Sequence, residues 1–353
     1  MRLTFITGSL GGGGAERVVA ELATEMARKG HEISIVVIAA RDHQYTIDPA
    51  VKVVDCSKKH AVRGLSFLQR VSDIRRALQE LSPDTVISFN TPVNVYALLA
   101  CRHLPCRLIV AERNDPVLYP ADKKTRLLRN LLYKKADRFA FQTKEAQAFF
   151  SRDIQRRSTV IFNPINPCMP DPVEGPRSRR FVMAVRLEPQ KNIRMAIDAF
   201  YQIAGEYPDF TLEIYGRGGL KEELQQQIDR LGLSGLVKLM GNSSTLYEDI
   251  KDAYAFVLSS DFEGMSNSML EAMTLGIPTI STDYPSGGAR AVIEHGVNGL
   301  LIPVGDTDAL AQAMKSLIED ASLAQTLSRG GVKLRDTLSV ESITDQWLKF
   351  VEQ

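Results

Sequence analysis

Short apolar runs alternate with amphipathic stretches from the first residues onward. Residues 3–7 form an apolar run that reads as a buried strand, followed by a glycine-rich turn from Gly8 to Gly14. Val18, Val19, Leu22, Ala23 and Met26 then recur on one face at helical spacing, and Gly30 ends that pattern. Residues 33–38 are again continuously apolar. A strand, a helix and a second strand in this order predict a βαβ unit with parallel strands. Further strands are predicted over residues 85–89, 107–111, 138–142 and 159–162.

The texture then changes. Pro164, Pro167, Pro170, Pro172 and Pro176 crowd the segment 163–180, which reads as a linker rather than an element interior. Beyond it the alternation resumes, with strands predicted over 180–185, 210–215, 237–240, 255–258 and 278–281 and a helix over 195–207. The last helix, about 340–351, carries Ile343, Trp347 and Phe350 near one face. These patterns predict an α/β protein of two Rossmann-like, doubly wound domains facing a cleft, with residues 1–165 as the first and 166–338 as the second. Residues 339–353 form a terminal helix expected to pack back on the first domain.

A chain of 353 residues suits two domains. Its 44% hydrophobic and 24% charged residues read as soluble and globular. No apolar run approaches the roughly 20 residues of a spanning helix, and residues 1–7 lack the features of a signal peptide. The expected location is therefore the cytoplasm. Cys56, Cys101, Cys106 and Cys168 lack a second close pair or a histidine pair, so reduced, structural thiols are expected and no metal. The net charge of +1 hides an asymmetry: residues 1–165 hold 26 Lys/Arg against 16 Asp/Glu, a balance of +10, and the remainder a balance of −9. The front half is thus suited to meeting something anionic. Residues 123–135 interleave Leu127, Leu128, Leu131 and Leu132 with Lys123, Lys124, Arg126, Arg129, Lys134 and Lys135. That stretch fits an anionic membrane surface; the alternative is an ordinary helix with its leucines on the sheet and its cations outside. Nucleic acid is not expected, because aromatic platforms for bases are lacking.

Three clusters can carry chemistry. Gly11 to Gly14 stand between the first strand and helix, where glycines admit a ligand and a helix start offers N–H groups to phosphate. A dinucleotide site would add an acidic residue at the end of the second strand, but that strand ends in Ala39, Ala40 and Arg41, with Asp42 late; a tight structural turn is the other alternative. The second cluster is Asp261-Phe-Glu-Gly-Met-Ser-Asn-Ser-Met-Leu-Glu271. Glu263 begins a glycine-containing turn and Glu271 is expected two turns along the helix after it, eight positions on and near one face, and the N–H groups around Gly264, Met265, Ser266 and Asn267 suit a phosphate or a sugar hydroxyl. Two solvated acids on a surface helix are the alternative. The third cluster, Arg186 and Lys191, flanks a strand end and the next helix start, where two cations can neutralise a diphosphate; isolated surface charges are the alternative.

Together with Gly13-Gly-Ala-Glu16, Tyr215-Gly-Arg-Gly-Gly219, Gly241, Leu246 and Tyr247, and the Glu263/Glu271 pair followed by Ala272-Met-Thr-Leu-Gly-Ile-Pro278, these residues make the chain resemble a retaining glycosyltransferase of family 4 with the GT-B fold. The resemblance spans essentially the whole chain and is nearest to bacterial enzymes that extend lipid-linked or surface polysaccharides. It implies a nucleoside-diphosphate sugar as donor, UDP-linked by preference, a lipid-diphosphate-linked glycan as acceptor, and no cofactor or metal. Arg186 and Lys191 would hold the diphosphate, Glu263 the donor sugar, and Glu271 the ribose. The backbone at Gly264 to Asn267 would meet the sugar and β-phosphate, Gly216 would sit in the turn beside them, and Gly241 and Asn242 would line the base. Gly13 and Gly14 would approach from the other domain. Relatives often carry a histidine after a strand of the first domain, and Arg113 stands at that place here. A sugar-nucleotide epimerase of the same architecture and a non-catalytic nucleotide-sugar-binding subunit are the competing functional readings.

Overall fold

The computed structural model describes residues 1–39, 45–57 and 66–353. It separates into two compact units, Met1–Pro164 with Ser339–Gln353, and Ile165–Leu338. Ile165, placed with the first domain on the sequence pattern, belongs to the second unit, where its N–H donates to the carbonyl of Leu338 at 2.9 Å.

Among the described residues the first unit holds seven parallel strands: β1 Arg2–Thr7, β2 Glu32–Val37, β3 Lys52–Asp55, β4 Thr85–Phe89, β5 Arg107–Ala111, β6 Arg138–Phe141 and β7 Ser158–Val160, in the order β3-β2-β1-β4-β5-β6-β7. The second unit holds six: β8 Ser178–Ala184, β9 Thr211–Tyr215, β10 Val237–Gly241, β11 Ala253–Leu258, β12 Thr279–Thr282 and β13 Leu300–Ile302, in the order β10-β9-β8-β11-β12-β13. Parallel pairing needs a crossover for each strand, and helices on both faces bury the sheet, so its central strands are apolar throughout. Phe5, Ile6, Val86, Ile87, Ile109 and Val110 are fully buried in the first unit, as are Phe181, Val182, Phe256 and Val257 in the second. In each sheet the order reverses between neighbours, β1/β4 and β8/β11, which opens a crevice beyond the carboxyl ends of the strands.

The helix Val340–Glu352 leaves the second unit and completes the first. Ser339 caps it by accepting from the N–H of Ser342 at 3.1 Å. Trp347 is fully buried, its ring 5.7 Å from that of Phe89. The guanidinium of Arg113 lies 4.5 Å over Phe89 and 5.2 Å over Trp347, a cation–π contact made in a dry environment. Burial holds Arg113 below the usual arginine range, at about 9. Arg107 donates to the carbonyl of Val351 at 2.8 Å, and Lys29 pairs with Asp345 at 2.8 Å.

Trp347→Ala removes both the largest buried side chain of this helix and one of the two rings that Arg113 contacts. A loss of about 3–5 kcal/mol is expected from the cavity alone, read as a lower denaturant midpoint for the first unit. A change under about 1 kcal/mol would show that the helix is not part of that unit's core.

Candidate active site

The carboxyl ends of β8, β9, β10 and β11 gather the candidate residues of the second unit. β8 runs out into Val185 and Arg186, β9 into Gly216, β10 into Gly241 and Asn242, and β11 into Ser259 and Ser260. The N–H of Val185 donates to Tyr215, and that of Gly216 to Gly241, at 2.9 and 2.7 Å. Gly216 has a φ of +134°, and a Cβ there would lie 1.9 Å from the carbonyl oxygen of Val185. Only glycine allows this approach.

Beyond β8 the chain enters a single 3-10 turn, Pro189–Lys191, and Asn192 then caps the helix Ile193–Ala204 in a left-handed conformation (φ 42°). This turn delivers the Lys191 side chain inward. Its Nζ pairs with Oε1 of Glu263, and both side chains are about nine-tenths buried. Glu263 is held further: Ser260 Oγ donates to Oε1 at 2.9 Å, and Gln190 Nε2 donates to Oε2 at 3.2 Å and to the carbonyl of Phe262 at 2.8 Å. Asn192 donates to Asp261 at 2.8 Å, and Ser259 Oγ to the carbonyls of Lys191 and Asn192 at 2.9 and 3.0 Å. The loop after β8 and the loop after β11 are thereby one hydrogen-bonded unit.

Glu263 precedes the helix rather than lying on it. The helix spans Asn267–Thr274, capped by Ser266, so Glu271 follows its start by a single turn. The eight residues therefore span one helical turn, not the two expected, and the Gly264 turn supplies the rest. Both carboxylates are buried, Glu263 at 8% and Glu271 at 6% exposure, so the alternative of two solvated surface acids does not describe them. A second turn, Tyr284-Pro-Ser-Gly-Gly288, packs over this one. Ser286 Oγ donates to the carbonyl of Glu263, and a Cβ on Gly288 would lie 1.8 Å from the carbonyl oxygen of Gly264. Burial, with the Glu263 charge beside it, pushes the Tyr284 hydroxyl well above the ordinary phenol range.

The other expected residues have surroundings of their own. Arg186 is largely exposed and pairs with Glu188 at 2.8 Å. Asn242 lines an open polar depression with Arg180, Glu213, Tyr215 and Asp249. Arg180 bridges Glu213 and Asp252, at 2.7 and 2.6 Å. Tyr215 donates to Glu213 at 3.0 Å, and burial and that carboxylate push its hydroxyl up to about 12. Gly13 and Gly14 belong to the first unit, where Gly13 precedes the helix Gly14–Arg28. The Glu16 carboxylate folds back over the Gly13 Cα, and Tyr45 donates to the Gly13 carbonyl at 3.0 Å. Asp42, weighed for the dinucleotide reading, lies outside the described residues. Arg113 is packed against the Phe89 and Trp347 rings and also donates to the Ile161 carbonyl and Asn163, at 3.4 and 3.3 Å. Gln190, Ser260 and Ser286 escaped the sequence reading. The Tyr284 to Gly288 turn after an apolar strand was the available signal for the last of them.

Residues 12–167 match the model for Glycosyltransferase Family 4, and residues 171–333 match that for Glycosyl transferases group 1. The chain belongs to these glycosyltransferases. The transferase is 26% identical, over all of its length and 99% of the relative's, to the Campylobacter jejuni enzyme named GalNAc-alpha-(1->4)-GalNAc-alpha-(1->3)-diNAcBac-PP-undecaprenol alpha-1,4-N-acetyl-D-galactosaminyltransferase. A second protein of that organism, N-acetylgalactosamine-N,N'-diacetylbacillosaminyl-diphospho-undecaprenol 4-alpha-N-acetylgalactosaminyltransferase, is 28% identical over 89% of each chain. Among solved structures, Anabaena HepE in complex with UDP superimposes with a TM-score of 0.80 and 21% identity, covering 100% of both chains. The transferase thus has two parallel-sheet Rossmann-like domains of the GT-B kind.

Lys191→Met strands the Glu263 carboxylate in a dry pocket, and breaking a buried pair in this way costs about 3–5 kcal/mol. The double variant Lys191→Met/Glu263→Gln removes both charges and should regain most of that stability in a denaturant melt while staying inactive. If the single variant melts like the parent, the pair is not formed in solution.

Proposed function

We propose that the transferase moves a hexose or N-acetylhexosamine from a UDP-sugar to a lipid-diphosphate-linked glycan, with retention at the anomeric carbon, during surface polysaccharide or glycan assembly on the cytoplasmic face of the membrane. The observation that carries this reading is the buried Lys191–Glu263 pair, poised at the head of the Asn267–Thr274 helix with Glu271 one turn along it. A cation, a sugar-binding carboxylate, a helix start and a second carboxylate then follow one another along a single ligand. The relatives' names supply the lipid-linked acceptor, and the UDP in HepE supports the donor.

In this mechanism Lys191 and Arg186 take the charge that develops as the diphosphate departs. Arg186 exchanges its exposed partner Glu188 for the phosphate, which costs little because that pair is solvated. Glu263, oriented by Ser260 and Gln190, binds sugar hydroxyls beside the developing oxocarbenium-like centre. Glu271 binds the ribose, the N–H groups of Gly264 to Asn267 meet the β-phosphate, and the base lies at Gly241 and Asn242. The acceptor oxygen attacks from the face the diphosphate leaves, and a diphosphate oxygen takes its proton. No side chain serves as nucleophile, no metal is required, and placement supplies most of the rate.

Two measurements test the roles. Glu271→Gln should weaken UDP affinity in calorimetry, since the ribose contact exists before and during reaction, whereas Glu263→Gln should chiefly lower kcat. Loss of UDP affinity in Glu263→Gln alone would reverse the assignment. Arg186→Ala should lower kcat by about 100- to 1,000-fold, comparable to removing one oxyanion donor. Near-parental turnover at saturating donor would remove Arg186 from the site, and donor conversion without any acceptor would favour an epimerase.

A further inference from the structure

The helix Lys123–Leu132 is amphipathic in the reverse of the usual sense. Asp122 caps it, accepting from the N–H of Thr125 at 2.8 Å. Its arginines turn inward. Arg129 is 2% exposed; its Nη1 donates to the carbonyls of Pro116 and Tyr119 at 2.7 and 3.1 Å, and its guanidinium lies 5.1 Å over the Phe149 ring. Arg126 donates to the carbonyls of Pro120 and Leu118. Its leucines turn outward: Leu127 is 60% exposed and Leu131 61%, with Leu128 beside them at 37%. The loop held by the two arginines adds Val117 and Leu118, also exposed. A surface helix normally hides its leucines and solvates its cations, and a contiguous apolar patch of this kind marks an interaction site.

We propose that this face seats in the headgroup region of an anionic lipid bilayer. Exposed lysines flank the leucine stripe, Lys123 and Lys124 one turn before it and Lys134 and Lys135 in the 3-10 turn that follows the helix. Lysine stems lie along apolar surface while their heads reach outward, so leucines in the acyl boundary and lysines at the phosphates fit one plane. The +10 balance of residues 1–165 acts in the same direction. A second copy of the chain is disfavoured as occupant, because a two-fold contact along this helix sets Lys123 and Lys124 against Lys134 and Lys135. No described helix is long and apolar enough to cross a membrane, so attachment through this face lies on the surface. The inference extends the proposed lipid-linked acceptor, but vesicle binding is read without donor or acceptor, so either idea can fail alone.

The test is co-sedimentation of the full chain with vesicles of phosphatidylglycerol and phosphatidylcholine, and with phosphatidylcholine alone, across a salt series. The parent should bind the anionic vesicles and be progressively released by salt. Charge reversal at Lys123, Lys124, Lys134 and Lys135 should lower partitioning at low salt by more than about 100-fold, at about fivefold per lysine. Leu127→Ser/Leu131→Ser should lower it by about tenfold per leucine at every salt concentration while keeping the parental salt slope. Both variants should melt like the parent and transfer normally to a short soluble acceptor. Failure of the parent to bind, or equal binding by the leucine variant, overturns the proposal. So does a dimer in light scattering that the leucine variant dissolves, which would assign the face to a second copy.

Discussion

The second unit is organised around one buried ion pair. Lys191 and Glu263 come from the loops that follow β8 and β11, the two neighbouring strands at which the sheet order reverses. Neither charge is stable alone at that depth, since desolvation costs each several kcal/mol. The arrangement holds because Ser260 and Gln190 satisfy the remaining carboxylate lone pairs, and because the Ser259 hydroxyl on the Lys191 carbonyl and the Asn192 amide on Asp261 fasten the two loops together. An exposed pair at this place would leave both side chains mobile. A buried one fixes a cation and a carboxylate in advance of any ligand, which is the condition for electrostatic stabilisation without reorganisation.

The glycines of this unit follow from the same crowding. Gly216 lets β9 turn beneath the Val185 carbonyl, and Gly288 lets the turn after β12 pass over Gly264. Each is a close approach between backbones, and each brings a strand end toward the crevice of a doubly wound sheet. Chemistry at the edge of such a sheet depends on how tightly the loops can stack there, more than on the strands beneath them.

The first unit uses arginine for packing, where the second buries Lys191 against Glu263. Arg113 packs against both Phe89 and Trp347, Arg129 lies over Phe149, and both spend hydrogen bonds on loop carbonyls. Planar guanidinium groups suit this, because they stack on rings while donating in plane. One consequence is that Arg113 ties the carboxy-terminal helix to its unit. Another is that Arg126 and Arg129, by turning inward, leave the neighbouring leucines outside.

Strand runs such as 3–7, 85–89 and 107–111 were legible because central parallel strands are apolar on both faces. β3 and β13 were not, since Lys52–Asp55 is a largely exposed edge strand and Leu300–Ile302 has only three residues. The spacing of Glu263 and Glu271 was legible as well, but not where helix begins between them, which the Ser266 cap and the Gly264 turn decide. The cations at 186 and 191 read alike in the sequence. Only the fold separates them, burying one against Glu263 and leaving the other on Glu188. The leucine and lysine periodicity at 123–135 likewise established an amphipathic helix without its direction. Local periodicity states which residues share a face; what that face meets depends on how the flanking chain folds against it, here the loop carbonyls of residues 116–120 and the Phe149 ring, and only the tertiary structure places them.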